Sequence, residues 1–347
     1  MYKRNQQHGV YTLPINIDHV VKSYTQYALP LCVVCTEENA IPWVLKNFTQ
    51  IKSYAISSDS GNHMKYGLED GFNHSVSGVD YSEVLEVELI ELANIPDFIS
   101  FAESSVRKGI YLHVSMDEFY LPPKVMYQQH HHIHPSLIFG VDEPGKRFNV
   151  AGFIKLFEIF ELRFDDCLRA INEAIIVDRE SNPLSHVQLS LYTYKPKKLS
   201  EVYPFSLAEL RSIIEAHLHG GKEAHWIRGI HTYDIVLAYL EEPFHNGNFI
   251  KYNTVHLLSE HKHMLGFALR HVLRTDVASK EVSVLLNNYS QVVKLFDRVK
   301  YVFIENAAKN QTWPFIDDKN AAELIKKHLQ SAVELEKKVL SDFLESF

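Results

Sequence analysis

The strongest constraint on the fold is a change of pattern along the chain near the segment Lys195-Pro196-Lys197-Lys198. Before this segment, short alternating runs are mixed with amphipathic ones, whereas after it almost every apolar run has helical spacing. A period of two indicates strands and a period of 3.6 indicates helices. We therefore predict an α+β fold with a boundary near 195–205, giving an α/β domain over 1–198 and an all-helical domain over 199–347.

The first part is expected to contain a central antiparallel sheet. Three runs have strand character, at 109–117, 134–142 and 146–153. The last two are joined by Glu143-Pro144-Gly145, and a Pro-Gly pair favours a tight reversal. An amphipathic run at 95–109 predicts a helix that ends at its glycine.

The second part begins with a clear helix start. Ser206 and Glu209 have the spacing of a capping box, in which each side chain accepts a hydrogen bond from the other residue's backbone. Further helices are predicted at 231–241, 251–274, 279–307 and 318–345.

Composition excludes several classes of function. The chain has 35 Lys and Arg against 43 Asp and Glu, with no basic block, so nucleic acid is not an expected partner. It has no apolar run of roughly 18 residues that could span a membrane, and no glycine-rich phosphate loop. The missing phosphate loop leads us to expect no bound cofactor. Three cysteines do not form a disulfide framework, which favours a cytoplasmic protein with free thiols.

Histidines are concentrated at His130, His131, His132 and His134. In an extended segment only alternate side chains share a face, so His130, His132 and His134 are the ones that could converge on a metal ion. No paired cysteine or carboxylate motif accompanies them. A metal-dependent enzyme therefore remains an alternative, while the prediction is that no metal is bound.

His134 is the strongest candidate for a general base. It opens the predicted strand 134–142, and a strand holds a side chain in a fixed direction, as proton transfer requires.

Cys35 is the candidate nucleophile. It lies between the apolar run 29–34 and the helical pattern 38–51, so we expect its thiol at a helix N-terminus, where the dipole lowers a thiol pKa. The alternative is a buried, inert cysteine. Cys32 is a weaker candidate with Gln26 six residues upstream, a spacing typical of an oxyanion-hole glutamine in papain-like enzymes, and Cys167 is expected in the core.

The order of these residues resembles a known family. A cysteine before a helix, then His-x-x-Leu-Ile-Phe-Gly-Val-Asp, resembles the papain-like N-terminal domain of the butirosin-biosynthesis protein H type. The resemblance spans most of 20–175 and, more loosely, the C-terminal helices. The residues in matching places are Asp117, Tyr120, Tyr127, His134, Gly140 and Asp142.

The resemblance implies a papain-like half, capped by the helical half, that carries out acyl transfer. An acyl group held as a thioester on the phosphopantetheine of a carrier protein, or in a small amide, would move to Cys35 and then to an amine, with His134 shuttling the proton. Such proteins accompany specialised-metabolite biosynthesis. The residues expected to contact substrate are Gln26, Asp117, Tyr120, Tyr127 and His132.

The chain departs from the family where the imidazole should be oriented. Ala151 or Gly152 stands where a carboxylate is expected, and Asn149 could replace it only with a shift of register, which would turn it to the other face. In a serine protease, loss of the orienting group lowers turnover by about 10⁴-fold. An inactive papain-like binding or scaffold protein is therefore the rival hypothesis.

Overall fold

The computed structural model describes residues 5–7, 9–54, 66–67, 79–181, 189–199, 205–222, 226–241, 252–276, 280–310 and 318–347. The chain forms two compact units. The first comprises Met1–Ala40 and Tyr81–Val202, and the second comprises Ile41–Asp80 and Tyr203–Phe347. The break after residue 202 lies within the predicted boundary region 195–205. The segment 41–80 belongs to the second unit, whereas the sequence predicted a first domain that is continuous over 1–198.

The elements are numbered in chain order. The helices are α1 (Thr25–Val34), α2 (Ile41–Phe48), α3 (Phe98–Arg107), α4 (Phe164–Ser181), α5 (Leu207–His219), α6 (Thr232–Glu241), α7 (Tyr252–Asp276), α8 (Lys280–Asn310) and α9 (Lys319–Ser346). The strands are β1 (Asn5–Gln7), β2 (Val10–Thr12), β3 (Lys52–Tyr54), β4 (Tyr66–Gly67), β5 (Leu85–Glu91), β6 (Tyr111–Asp117), β7 (Ile133–Asp142), β8 (Arg147–Phe153), β9 (Phe157–Arg163), β10 (Ser190–Pro196), β11 (Gly221–Lys222) and β12 (Trp226–Arg228).

The first unit is built on an antiparallel sheet, as predicted. Its strands follow the order β9-β8-β7-β6-β10-β5, and the β1-β2 hairpin pairs with the last residues of β7. The predicted strands 109–117, 134–142 and 146–153 are confirmed as β6, β7 and β8. Since β7 lies in the middle of the sheet, its residues from Ser136 to Val141 are buried.

His134 points to the face of this sheet that α4 covers. Directly opposite residues of an antiparallel pair share a face, and His134 pairs with Met116 across β7 and β6. The sulfur of Met116 lies 3.5 Å from the thiol of Cys167 in α4. Cys167 is fully buried, so its expected place in the core is confirmed.

The helix α1 packs on the strands β6, β7, β8 and β10. A neighbouring loop shows which face it occupies, because His19 contacts both α1 and the sheet. Its Nε2 lies 3.3 Å from the sulfur of Cys32, and its ring packs edge-on against Phe157 of β9 with centroids 6.0 Å apart.

Strand register then relates Phe157 to His134. Phe157 of β9 pairs with Phe153 of β8. Ala151, two residues before Phe153 on β8, pairs with Leu137 of β7. These residues share a face. Leu137 follows His134 by an odd number of positions, so the two point in opposite directions. The strand register therefore directs the side chain of His134 away from the α1 face, and its ring lies at the end of the sheet with its centroid 6.2 Å from that of Phe153.

The second unit is helical apart from a small antiparallel sheet of order β11-β12-β3-β4. The capping box is confirmed: the Ser206 hydroxyl accepts from the Glu209 backbone, and the Glu209 carboxylate accepts from the Ser206 backbone. The long helices α7, α8 and α9 follow the predicted ranges to within three residues. Among the described residues, no helix combines the length and the apolar composition needed to cross a bilayer.

Charged side chains are buried where these helices meet. The Lys262 ammonium of α7 lies 2.6 Å from the Glu336 carboxylate of α9, and both side chains are fully buried. The Tyr233 hydroxyl donates to the same carboxylate at 2.8 Å. Burial alone would raise the pKa of Glu336, but the charge of Lys262 holds it well below its usual value. The pair is therefore ionised inside the second unit.

Removal of one partner of this pair should destabilise the second unit strongly. We expect Lys262→Met to lower the free energy of unfolding by about 3–5 kcal/mol, because it leaves the Glu336 carboxylate buried without a counter-charge. The double variant Lys262→Met/Glu336→Leu should recover most of this loss. Denaturant unfolding followed by circular dichroism measures both.

The ion pair of half-buried Arg211 with exposed Glu215 gives a control in the same unit. Glu215→Gln should change the free energy of unfolding by less than about 1 kcal/mol. Equal effects of Glu215→Gln and Lys262→Met would contradict the ionised pair.

Candidate active site

The site lies where β6 ends and β7 begins. The register pairs Asp117 with Ile133 and Met116 with His134, so the residues that follow β6 come beside the residues that precede and open β7. The backbone N–H of Glu118 continues this pairing by donating to the carbonyl of His132 at 2.9 Å. Two carboxylates and several histidines are thereby placed at one end of the sheet.

Glu118 holds the imidazole of His134. The two are joined by a hydrogen bond of 3.0 Å between Nδ1 of His134 and Oε1 of Glu118. A carboxylate accepts, so the proton lies on Nδ1 and the Nε2 atom of the neutral ring is the acceptor. Within the described residues Nε2 makes no hydrogen bond, and the His134 side chain is 26 % exposed. The ring is oriented and still accessible.

Lys124 completes this arrangement. Its ammonium lies 3.1 Å from Oε1 of Glu118 and donates to the carbonyl of Phe153 at 2.6 Å and to the hydroxyl of Ser136 at 3.3 Å. Burial would raise the pKa of Glu118, but His134 and Lys124 outweigh it and the pKa lies below its usual value. Burial lowers the pKa of Lys124, and Glu118 opposes this. Glu118 is thus fixed as a carboxylate.

Asp117 has a structural role instead of the predicted contact with substrate. It is fully buried, and its carboxylate accepts from the backbone N–H groups of Phe119 and His132, each at 3.1 Å. It also accepts from Nδ1 of His131 at 2.6 Å. With three donors bound, this carboxylate closes the turn after β6 and is not available to a ligand.

The other predicted substrate residues lie around the same turn. The ring of His132 is exposed and stacks on His134 with centroids 5.3 Å apart. Tyr120 is half-buried, with the guanidinium of Arg169 4.5 Å from its ring. Tyr127 is half-buried and accepts from the side-chain amide of Gln128 at 3.1 Å. Of these residues, His132 is the one that contacts the His134 ring.

Three side chains form a group that could hold a metal ion. One donor atom from each of Glu118, His132 and His134 lies within 4.8 Å of the others. The alternation of side chains predicted His130 in such a group, but the structure places Glu118 there instead.

Cys35 does not have the expected position at a helix N-terminus. The apolar run 29–34 is itself the second half of α1, and Cys35 is the residue that caps the C-terminal end of that helix. The negative end of the helix dipole disfavours a thiolate. Burial raises the pKa of the Cys35 thiol to about 12. The prediction of a low-pKa thiolate is therefore wrong.

The structure does not bring Cys35 to His134. Cys35 ends the helix α1, which packs on one face of the sheet, whereas the His134 ring points to the other face. No hydrogen bond joins the two side chains within the described part of the chain.

Cys32 is in contact with a histidine, but not as a catalytic pair. Its thiol and the His19 imidazole are both buried. Burial raises the pKa of Cys32 well above its usual value and lowers that of His19 to about 3, so both groups are neutral. Gln26 lies on the same helix, about 9 Å away along its axis, so the amide does not form an oxyanion hole at this thiol.

Asn149 does not orient His134. The partner of Asn149 on β7 is Gly140, six residues after His134, which corresponds to roughly 20 Å along the strand. The side chain of Asn149 instead lies 3.5 Å from the hydroxyl of Thr12.

Neither Ala151 nor Gly152 supplies the carboxylate that the resemblance places here, and a side chain at 152 would crowd Ser136. Ala151 is fully buried on the α1 side. A Cβ atom at position 152 would come within 2.8 Å of the Ser136 hydroxyl and 3.7 Å of the Lys124 ammonium.

Glu118 is the functional residue that sequence reasoning missed. Adjacent carboxylates such as Asp117 and Glu118 face opposite sides of a strand, which excludes them as a close pair. The same alternation leaves each carboxylate able to bind a different histidine: Asp117 binds His131, and Glu118 binds His134. The predicted antiparallel strands 109–117 and 134–142 contained the signal, since their pairing would place the end of one strand beside the start of the other.

No family model matches the chain, and no curated protein matches it either.

The raised pKa of Cys35 predicts slow alkylation with a particular pH dependence. Because the thiolate is the reactive form and the folded protein favours the thiol, the rate of iodoacetamide labelling should rise about tenfold per pH unit from pH 7 to 10. A thiol with an ordinary pKa of about 8.5 would reach a plateau within that range. Peptide mass spectrometry of labelled samples gives the rate at each cysteine.

His134→Ala serves as the control for this measurement. It should leave the labelling rate of Cys35 unchanged, because the two side chains lie on opposite faces of the sheet. A labelling rate of Cys35 that already reaches its plateau near pH 6, and loses this plateau in His134→Ala, would support the thiolate–imidazolium pair instead.

Proposed function

We propose that the first unit carries an acid–base catalytic site for acyl transfer, in which the imidazole of His134 moves the proton. The observation that carries the proposal is the 3.0 Å hydrogen bond from Nδ1 of His134 to Glu118. It fixes the tautomer and the direction of the ring and leaves Nε2 as the base. This is the role that the missing carboxylate on β8 was expected to fill.

The chemistry that fits this site is direct attack of an acceptor on an activated acyl group. An amine or a water molecule attacks the carbonyl carbon of a thioester or amide, and Nε2 of His134 takes its proton. The tetrahedral intermediate then expels the thiol or amine, which receives that proton from the imidazolium. The new C–N or C–O bond replaces the C–S or C–N bond, and no cysteine of this chain forms an intermediate.

Glu118 and Lys124 have distinct roles in this scheme. The carboxylate of Glu118 stabilises the imidazolium that forms when His134 accepts a proton. The buried ammonium of Lys124 keeps Glu118 ionised and in place. Because its donors are directed at Glu118, Phe153 and Ser136, we assign Lys124 as a positioning residue.

The substrate class rests on the resemblance of this unit to the butirosin-biosynthesis protein H type. The favoured substrates are an acyl group on the phosphopantetheine of a carrier protein or a small amide, and the papain-like description of the fold belongs to the same proposal. The rival is an inactive binding protein. The oriented and accessible imidazole of His134 favours catalysis, since a scaffold has no need of a held base.

Replacement of the base should slow turnover strongly. With a thioester of N-acetylcysteamine and an amine acceptor, we expect His134→Gln to lower kcat/KM by about 10²–10⁴-fold, the usual contribution of a positioned base. Glu118→Gln should also lower it, through loss of the charge that stabilises the imidazolium. Mass spectrometry of the acylated product measures the rate, and thermal unfolding establishes that each variant is folded.

Two further variants make the test decisive. His130→Gln alters an exposed neighbouring histidine outside the site and should leave the rate unchanged. Cys35→Ser should also leave it unchanged. An acyl adduct on Cys35, together with inactivity of Cys35→Ser, would overturn direct attack in favour of the thiol route. If the unaltered protein turns over thioesters and amides no faster than His134→Gln does, the result would support the binding-protein rival.

A further inference from the structure

We infer that the first unit also binds one divalent transition-metal ion, such as Zn²⁺, through Glu118, His132 and His134, and that this ion inhibits acid–base catalysis. Two imidazoles and one carboxylate are a ligand set that zinc commonly uses. One donor atom from each residue lies within 4.8 Å of the others. The binding itself is argued from geometry, and the inhibitory effect rests on the proposed function.

The three side chains converge because of the strand that carries two of them. His132 and His134 are separated by one residue in an extended segment, so they share a face, and their rings are stacked with centroids 5.3 Å apart. Glu118 reaches the same point from the turn that follows the paired strand β6. One ligand is buried, one is half-buried and one is exposed, so the ion has a route from solvent.

The distances are close to those of a bound ion. Tetrahedral zinc with bonds of about 2.0–2.1 Å holds its ligands roughly 3.4 Å apart. Nδ1 of His134 and Oε1 of Glu118 are already 3.0 Å apart, held by the proton between them. A zinc ion would replace that proton, and the exposed ring of His132 would turn to supply the third ligand.

Such binding would remove the base. When the ion occupies Nδ1 of His134, the remaining proton of the neutral imidazole lies on Nε2. Nε2 is then a donor and cannot accept a proton from the acceptor substrate. Zinc is therefore a reversible inhibitor of the proposed reaction.

Lys124 provides a way to distinguish this site from nonspecific metal binding by exposed histidines. Its ammonium lies 3.1 Å from Oε1 of Glu118, where it repels a cation. A metal held by His130, His131 and His132 at the surface would not respond to this buried charge. A metal held by Glu118 would bind more tightly when the charge is removed.

The test is calorimetric titration of the untagged, full-length protein with Zn²⁺. We expect one equivalent, with affinity reduced roughly 100-fold in His132→Ala and in Glu118→Gln, since loss of a direct ligand costs at least as much as loss of its outer partners. His130→Ala is the matched control and should retain full affinity. Lys124→Met, with Lys124→Gln as a second variant, should tighten binding about tenfold or more.

The outcomes distinguish a built site from an adventitious one. Equal weakening by His130→Ala and His132→Ala, or unchanged affinity in both Lys124 variants, would overturn the proposal. Turnover by the metal-free protein is measured separately in the presence of a chelator. If the unaltered protein turns over substrate but does not bind zinc, this inference alone is refuted. If it binds zinc but does not turn over substrate, the proposed function alone is refuted.

Discussion

The pairing of β6 with β7 is the interaction on which the first unit depends. Its backbone hydrogen bonds build the middle of the sheet, and its register decides which side chains meet at the end of the two strands. Because side chains alternate along a strand, a slip of one residue would turn His134 to the α1 face and away from α4. The position of Glu118 beside His134 is thus a consequence of strand register and not of a local motif.

Much of this fold could be predicted from the sequence. The strands β6, β7 and β8 and the helices of the second unit were found from their periodicity, and the capping box marked the start of α5. These features are local, so a short window of sequence contains the information. The grouping of 41–80 with the second unit was not found, because it depends on contacts such as β3 with β12 that join segments far apart in the chain.

The candidate site was predicted only in part, for the same physical reason. His134 was found because its place at a strand start is visible in the sequence. Cys35 was misplaced because the run 29–34 has no polar face: α1 is buried almost all round, so its pattern cannot distinguish a helix from an apolar run that precedes one. Glu118 was missed because its role depends on a partner from another strand.

The absence of a side chain at Gly152 has a consequence for the history of such a site. A Cβ atom at this position would come within 2.8 Å of the Ser136 hydroxyl, which accepts from the Lys124 ammonium. A side chain at 152 would therefore disturb one of the contacts that hold Lys124, and through Lys124 the carboxylate of Glu118. The orientation of the His134 imidazole thus depends on a glycine of β8 that does not itself touch the ring. In a lineage of such chains, the identity of residue 152 would constrain the residues tolerated at 124 and 118.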